Sequence, residues 1–488
     1  MLKFIFKNAA LYTIANQIPM FANLILLPII SKFLNKEDYY IFGTVLAYGG
    51  VISVFSNFGL IPSFQNAFFK DRENFKSRYG DLMFFLIRYR ILYTAVLASV
   101  IYIFFKDDLP PSRLFAVIFL YVTPSMFLEL YKTLGMRYYQ FNHRHAEVHK
   151  ITLLSGIITV ISTFTTVYIF ELHYFGWFIS LFIGNVFQGM YFRYKLRVVE
   201  QLLPAKNPDQ SYIKSSIKFG LPTIPHNYSS YLLNTADRLI LDQYKTAGDV
   251  QSGDIGLYNV AYGFAGYFDN LNGQINSVVS PIYFDMFARN DLKANHIVRQ
   301  MTFVWFAIVL AMAFLLSIWS KEIFYLMYIQ NTDQLQDAYK YSIFLFMAFT
   351  YRPMYVAAVD RAIFNERSLG LLKISLVAGI LNVVLNIIFI PIYGVQAAIF
   401  ATFLAYMYQG FSGHFFKDFR KYITLKYYPI LMLLVIFFVS AAAWWIVEFA
   451  IISKALLTAT LLMGIVIFYY KYGKAFISNL NHVKHHGQ

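Results

Sequence analysis

The sequence predicts an all-α polytopic membrane protein of about fourteen transmembrane helices: two pseudo-symmetric six-helix bundles and a C-terminal helix pair. Composition is the first reason. Of 488 residues, 58% are hydrophobic and only 14% are charged, whereas a soluble domain carries about 25% charge. The second is the recurrence of apolar runs of about 20 residues from end to end, each long enough for ~30 Å of hydrocarbon. The third is an internal repeat with a period near 220 residues.

Residues 8–31 form the first span. The opening "MLKFIFKNAALYTIANQIPMFANLILLPII" has the look of a signal peptide, but no small-residue cleavage site follows its apolar run, so it reads as a membrane helix. Spans at 39–64, 80–105, 114–131, 151–170 and 174–192 complete an N-terminal bundle over 1–198. Residues 199–218 read as a cytoplasmic linker. Spans at 219–241, 255–284, 301–319, 341–360, 374–391 and 393–414 build the second bundle, 219–420. Spans at 428–448 and 455–470 make the final pair in 421–488, which also holds a cytoplasmic tail.

Charge sets the orientation. Alternate segments, counted from the N-terminal tail, hold 29 of the 41 Lys and Arg residues, and the intervening loops hold 8. The other four, Arg88, Arg90, Arg238 and Arg352, lie within helices. Basic loops stay on the cytoplasmic side, so both termini are expected there. The same bias accounts for the net charge of +15, and no nucleic-acid partner is implied. The outer loops reach about 20 residues at most, too short for a catalytic domain. Zero cysteines excludes disulfides, thiolate metal sites and cysteine nucleophiles. With neither paired carboxylates nor a metal-ligand cluster in the sequence, transport is expected rather than catalysis, against an alternative of membrane glycosyltransferase or polymerase.

The repeat is seen in short matches. "EDYYIFGTVLAY" (37–48) aligns with "GDIGLYNVAYGF" (253–264), pairing Asp38 with Asp254. "FQG" at 187–189 matches "YQG" at 408–410, and "YFGW" at 174–177 resembles "IYGV" at 392–395. Each half has an even number of spans, so the repeat runs parallel about an axis along the membrane normal. The first and seventh spans both combine proline with polar residues: Asn16, Gln17, Pro19 and Asn23 in one, Pro222, Pro225, His226 and Asn227 in the other. Interrupted segments in corresponding helices are a pointer to a transporter's binding site.

"LNTADRLILDQY" (233–244) with the repeat segment after it, and "GILNVVLNIIFIPIYGVQAAIFATFLAY" (379–406), resemble the polysaccharide (O-antigen type) repeat-unit flippases. These belong to the multidrug/oligosaccharidyl-lipid/polysaccharide (MOP) exporter superfamily, and the resemblance covers the chain in helix count, halves and topology. It implies a MATE-like fold in the bacterial inner membrane that flips undecaprenyl-diphosphate-linked oligosaccharides by alternating access. Lipid II flippases are similar, with fourteen helices and a lipid-binding groove from the last two. Multidrug extruders usually have twelve, so the extra pair leans toward a lipid-linked substrate. The alternatives are a lipid II-type flippase and an ion-coupled small-molecule or multidrug antiporter of the same fold. No cofactor is expected, with H+ or Na+ as the coupling ion. The expected partners are the lipid-linked oligosaccharide and the bilayer, with polysaccharide polymerase and chain-length proteins beside them, and the chain itself is expected to be a monomer.

A diphosphate cannot cross hydrocarbon alone, and arginine suits its oxygens through bidentate hydrogen bonds. Arg88 and Arg90 ("FFLIRYRIL") and Arg352 ("FTYRPMY") are the candidate cavity cations. Arg88 and Arg90 project about 200° apart, so one of them faces a cavity at most. For each arginine the structural alternative is snorkelling or an ion pair with a neighbouring helix. Asp237 and Arg238 sit near an outer helix end, and Glu129 and Lys132 read as interfacial.

Asp269, in "YFDNLNGQIN" (267–276), is the deepest acid. Asp254 and Asp285 lie roughly 22–24 Å to either side at helical rise, which sets Asp269 near the bilayer centre. A carboxylate there must be protonated, paired or hydrated. Asn272 and Asn276 share its helical face. The group reads either as a proton-titrated or sugar-binding wall or as a buried polar knot. Its repeat counterpart is Ser53 in "VISVFSNFGL" (51–60). His226 is a candidate proton relay, or a structural histidine filling the proline irregularity. The terminal "NHVKHHGQ" offers spaced histidines and weak metal binding at most.

Overall fold

The computed structural model describes residues 20–142, 144–221, 223–289, 292–329, 334–365, 368–416 and 425–468, together with Asn331 and Tyr470. Its regular elements are helices, and no strand occurs among the described residues. Among the described residues, eight helical stretches are long and apolar enough to cross a membrane. Contacts divide the chain into two compact units. The first comprises residues up to Val260 with Leu326–Leu335 and Ser375–Ala398; the second comprises Ala261–Tyr325, Gln336–Ile374 and residues from Ile399 onward.

The first unit opens with α1 (Met20–Phe33) and α2 (Lys36–Ser53). Asn35 starts α2 with a reciprocal cap: its Oδ1 accepts from the Asp38 amide at 2.8 Å and its own amide donates to Asp38 Oδ2 at 2.8 Å. This satisfies two amides that the first turn leaves without helical partners. The expected span 39–64 does not run through. Phe58 (φ 47°) and Gly59 (φ 68°) turn the chain left-handed, a conformation that glycine tolerates and a helix cannot contain. Pro62 then starts α3 (Ile61–Lys70), which buries Phe64, Ala67 and Phe68.

Beyond it lie α4 (Phe75–Phe105), α5 (Pro111–Met126) and α6 (Leu128–Phe141). The expected end at 131 is overrun by α6. Pro124 cannot donate to the carbonyl one turn back, and the chain breaks at Phe127 before resuming. Helices α7 (His145–Thr163) and α8 (His173–Tyr194) each loosen into a π-turn, Phe164–Ile169 and Lys195–Val199. The expected linker 199–218 contains a further helix, α9 (Gln210–Gly220), capped by Asp209. A side chain at Gly220 would meet the Gly59 carbonyl oxygen at 2.2 Å, so α9 crosses the break after α2 at backbone contact. An aromatic core of Phe64, Phe68, Phe75, Tyr79, Tyr139 and Phe192 joins these elements. Arg144 locks it from outside the spans. Its guanidinium reaches Glu147 at 2.6 Å and Glu200 at 2.7 Å, and the Tyr138 and Tyr139 hydroxyls each donate to Glu200 at 3.1 Å. Burial alone would raise the Glu200 carboxyl, but these bonds outweigh it and hold its pKa below the ordinary value.

Helices α10 (Thr223–Ala247) and α11 (Ser252–Arg289) are long, yet neither is apolar enough to rank among the eight stretches. Helix α10 packs on α2. Tyr40 and Tyr48 of α2 donate to Asp242 at 2.7 and 2.9 Å, and Tyr40 and Lys245 reach Asp108 at 2.8 and 2.6 Å.

In the second unit, α12 (Leu292–Ile318) packs against α14 (Tyr339–Ala348) and α15 (Arg352–Phe364). Between α12 and α14 lies the short α13 (Ser320–Met327). Helices α14 and α15 are one span, 335–364, interrupted by a 3₁₀ turn at Phe349–Tyr351 ahead of Pro353. This span is the most enclosed of the eight, with 78% of its apolar window buried; the others reach 39% at most. After α16 (Ser368–Tyr393) and α17 (Val395–Phe411) come α18 (Pro429–Ile446) and α19 (Ile451–Phe468). The last pair is pinned by charge. Lys454, wholly buried on α19, donates to Glu322 at 2.7 Å, and Trp319 Nε1 donates to Thr458 at 2.9 Å. Glu448 accepts from Tyr339 at 2.6 Å and pairs with Lys321.

Candidate functional site

Helix α11 carries the candidate site in the second unit. At 3.6 residues per turn, Gly266, Asp269, Gly273 and Asn276 fall on one stripe, with Asn272 at its edge. A side chain added at Gly266 or Gly273 would meet nothing within 4 Å, so the stripe borders open space. Asp269 stands at the middle of this 38-residue helix. Arg352, at the start of α15 just past the 3₁₀ turn, donates to Asp269 through Nη2. The side chains are 18% and 29% exposed, so the pair is neither sealed in the interior nor laid on a surface. The Arg352 guanidinium also lies 5.6 Å from the Tyr351 ring, which stacks on Tyr406 at 4.8 Å. Gly410 makes room, because a side chain there would come within 2.7 Å of Tyr351 Cβ.

The polar atoms around the pair are not all satisfied. Asn272 is wholly buried, and neither its Oδ1 nor its Nδ2 has a partner. Asn276 Oδ1 and Arg352 Nε are also buried without one. Each such atom costs about 1–3 kcal/mol unless a ligand or water meets it.

Arg90 is placed differently. It is wholly buried in the first unit, where Nη1 donates to the Ser125 carbonyl at 2.7 Å and to Glu129 at 2.9 Å, and Nη2 to Asn57 at 3.0 Å. These contacts join α4 to the α5–α6 break and the turn after α2. Glu129 and Lys132 both have protein partners: Glu129 holds Arg90, and Lys132 donates to Asn185 at 3.1 Å. Arg88 is exposed, donates to the Phe84 carbonyl at 3.0 Å and lies over the Phe84 ring. Asp237 is buried and accepts from Tyr258. His226 and Asn227 occupy α10, but their side chains lie outside the described residues, as do Gln17, Pro222 and the terminal histidines.

The repeat has a physical counterpart. Helix α2 begins at Lys36 and α11 at Ser252, as the match of 37–48 with 253–264 requires. The correspondence fails after Ser53, where α2 ends and α11 continues past Asp269. A Cβ added at Gly189 would lie 2.5 Å from Leu128 Cβ, as one added at Gly410 would lie 2.7 Å from Tyr351 Cβ. The shift that carries Leu128 onto Tyr351 carries Glu129 onto Arg352. Each half therefore places an ion pair at its broken helix, with the charges exchanged. Sequence reasoning missed this: the "QG" matches are offset by 221 residues and the Leu128–Tyr351 correspondence by 223, so no single register carries both.

A family model described as polysaccharide biosynthesis protein matches residues 5–287, more than half of the chain. The chain belongs to that family. Among solved structures, this family member is similar to the lipid II flippase MurJ in an inward closed conformation, at 14% identity and a TM-score of 0.69, with 95% of this chain and 99% of that one covered. It is also similar to an inward-facing multidrug resistance MATE family transporter of the MOP superfamily, at 11% identity and 0.61, covering 84% and 99%. A Vibrio cholerae MATE transporter follows at 12% and 0.53, covering 85% and 96%. The all-α fold is thus the one these MurJ and MATE structures have, in a multi-pass membrane protein. No curated protein sequence matches the chain.

Proposed function

We propose that this protein flips undecaprenyl-diphosphate-linked oligosaccharide repeat units, of the O-antigen type, from the cytoplasmic to the periplasmic leaflet of the bacterial inner membrane by alternating access. The observation that carries the reading is the Asp269–Arg352 pair, set midway along a polar helix beside open space. An arginine there supplies the charge-assisted hydrogen bonds that a diphosphate needs on leaving water. An apolar cavity of about 420 Å³ supports a lipid substrate. Met407, Phe411 and Phe415 line one side and Leu433 and Phe437 of α18 the other, surfaces suited to part of a polyprenyl chain. Membership of a polysaccharide biosynthesis family supports a glycan cargo. The transport is read as coupled to H+ or Na+, with the chain working as a monomer alongside polymerase and chain-length proteins.

Gene deletion tests the reading. Surface polysaccharide should be lost while lipid-linked units accumulate in the cytoplasmic leaflet, and the cloned chain should restore it. A normal surface glycan with heightened sensitivity to cationic dyes would refute it and favour a small-molecule antiporter.

A further inference from the structure

The open stripe of α11 poses a question that phosphate binding alone does not answer. Why should a cation meant for substrate already hold a carboxylate? Arg352 gives Nη2 to Asp269, yet its Nε is buried and unpartnered. The carboxylate therefore uses only part of what a guanidinium offers, which is five N–H donors in a fixed fork. On the same stripe, Gly266 and Gly273 keep the wall thin. Asn272 and Asn276 present further unpartnered polar atoms: two acceptor oxygens and one amide donor. The partly exposed pair joins α11, too polar to rank as an apolar span, to the most enclosed of the eight apolar stretches.

We infer that Asp269 is a resident counter-anion, occupying on Arg352 the place that a substrate phosphate takes. Without cargo the pair is neutral, so the carrier avoids leaving a bare guanidinium in the membrane interior. A diphosphate, with more charge and more acceptor oxygens than a carboxylate, displaces Asp269 and engages the fork more fully. The released carboxylate swings into the open stripe and is hydrated. Asn272 and Asn276 then meet the phosphate or the first sugar hydroxyls. The ligand class is a pyrophosphate ester with a hydroxylated neighbour. The inference rests on the flippase reading for the lipid half of that ligand only.

Binding to the full chain in nanodiscs separates the possibilities, using undecaprenyl diphosphate and inorganic pyrophosphate as probes. Removing the competing carboxylate in Asp269→Asn should tighten binding of undecaprenyl diphosphate about tenfold while slowing flipping. Arg352→Ala should weaken binding at least about tenfold. Asp269→Ser, which copies Ser53 of the other half, guards against a folding defect in the amide variant. Wild-type binding with equal or weaker affinity in both Asp269 variants overturns the exchange and leaves the flippase reading intact. A gain seen with inorganic pyrophosphate alone upholds the exchange and removes the lipid-linked substrate. Failure of wild type and variants to bind either probe overturns both.

Discussion

Arg90 and Arg352 are alike in sequence, each an arginine inside an apolar span, and the protein gives them opposite surroundings. Arg90 has three acceptors and no exposure, whereas Arg352 has the single acceptor Asp269 and is partly exposed; the Nε of each is buried without a partner. The first is spent on structure, and the second retains capacity for a ligand. Because a planar fork recognises phosphate better than a point charge does, Arg352→Ala should reduce transport more than Arg352→Lys does. Flipping assays on equal amounts of folded protein check the order, and wild-type rates in both variants would remove Arg352 from the site. Glu200 is a residue whose role is stability. Its folded pKa is held down, so its contribution is present above the unfolded carboxyl value and is lost as pH falls through the folded one. The melting temperature in detergent should therefore fall below about pH 4, and the decline should be shallower in Glu200→Gln. Parallel acid limbs would exclude it. Asp269 was legible as an acid needing a partner, but its partner was not. The two residues lie 83 positions apart, and periodicity carries no information about which helices touch.

Among elements, the expected spans hold where apolar runs are unbroken and fail where single residues redirect the backbone. The span predicted over 80–105 begins only a turn early, at Phe75. The one predicted over 39–64 is cut by Phe58 and Gly59, a left-handed pair just after Ser56 and Asn57 inside a run that is apolar on average. Hydropathy is blind to that cut, and the glycine was the available signal. The linker helix α9 was hidden for the opposite reason, being too polar and short for a span-seeking scan. The C-terminal pair was expected, though not its fastening by a buried lysine. Lys454→Ala strips the partner from Glu322, which is 26% exposed, and breaking a buried pair costs about 3–5 kcal/mol. Partial exposure places the loss at the lower end. Thermal unfolding should show a clear drop for Lys454→Ala, largely recovered in Lys454→Met with Glu322→Leu, since apolar replacement of a buried pair is often neutral. An unchanged melting temperature in Lys454→Ala would mean that α19 is held by packing alone.

Across the whole molecule, the fold class was legible because lipid imposes one rule on every span: backbone groups must bond within the helix. Charge extends that rule to orientation, a matter of 29 basic residues against 8. The short α3 and α9 and the Arg144–Glu200 lock lie in segments assigned to the basic side, and the Tyr40–Asp108–Asp242–Lys245 cluster lies in segments assigned to the other. Orientation can be measured directly with a phosphatase reporter that is active only outside the cytoplasm. Fusions after Asp107, Glu171, Gly248 and Gly394 should be active, and fusions after Arg72, Asn142, Lys206 and Asp285 should be silent. The pattern is demanding because neighbouring sites are separated by one predicted crossing, except Asp285 and Gly394, which are separated by three. A single extra or missing crossing would invert every later fusion, so a reversal beginning at one site would locate the error. A reversal from the first site onward would put the open stripe of α11 in a carrier facing the opposite way.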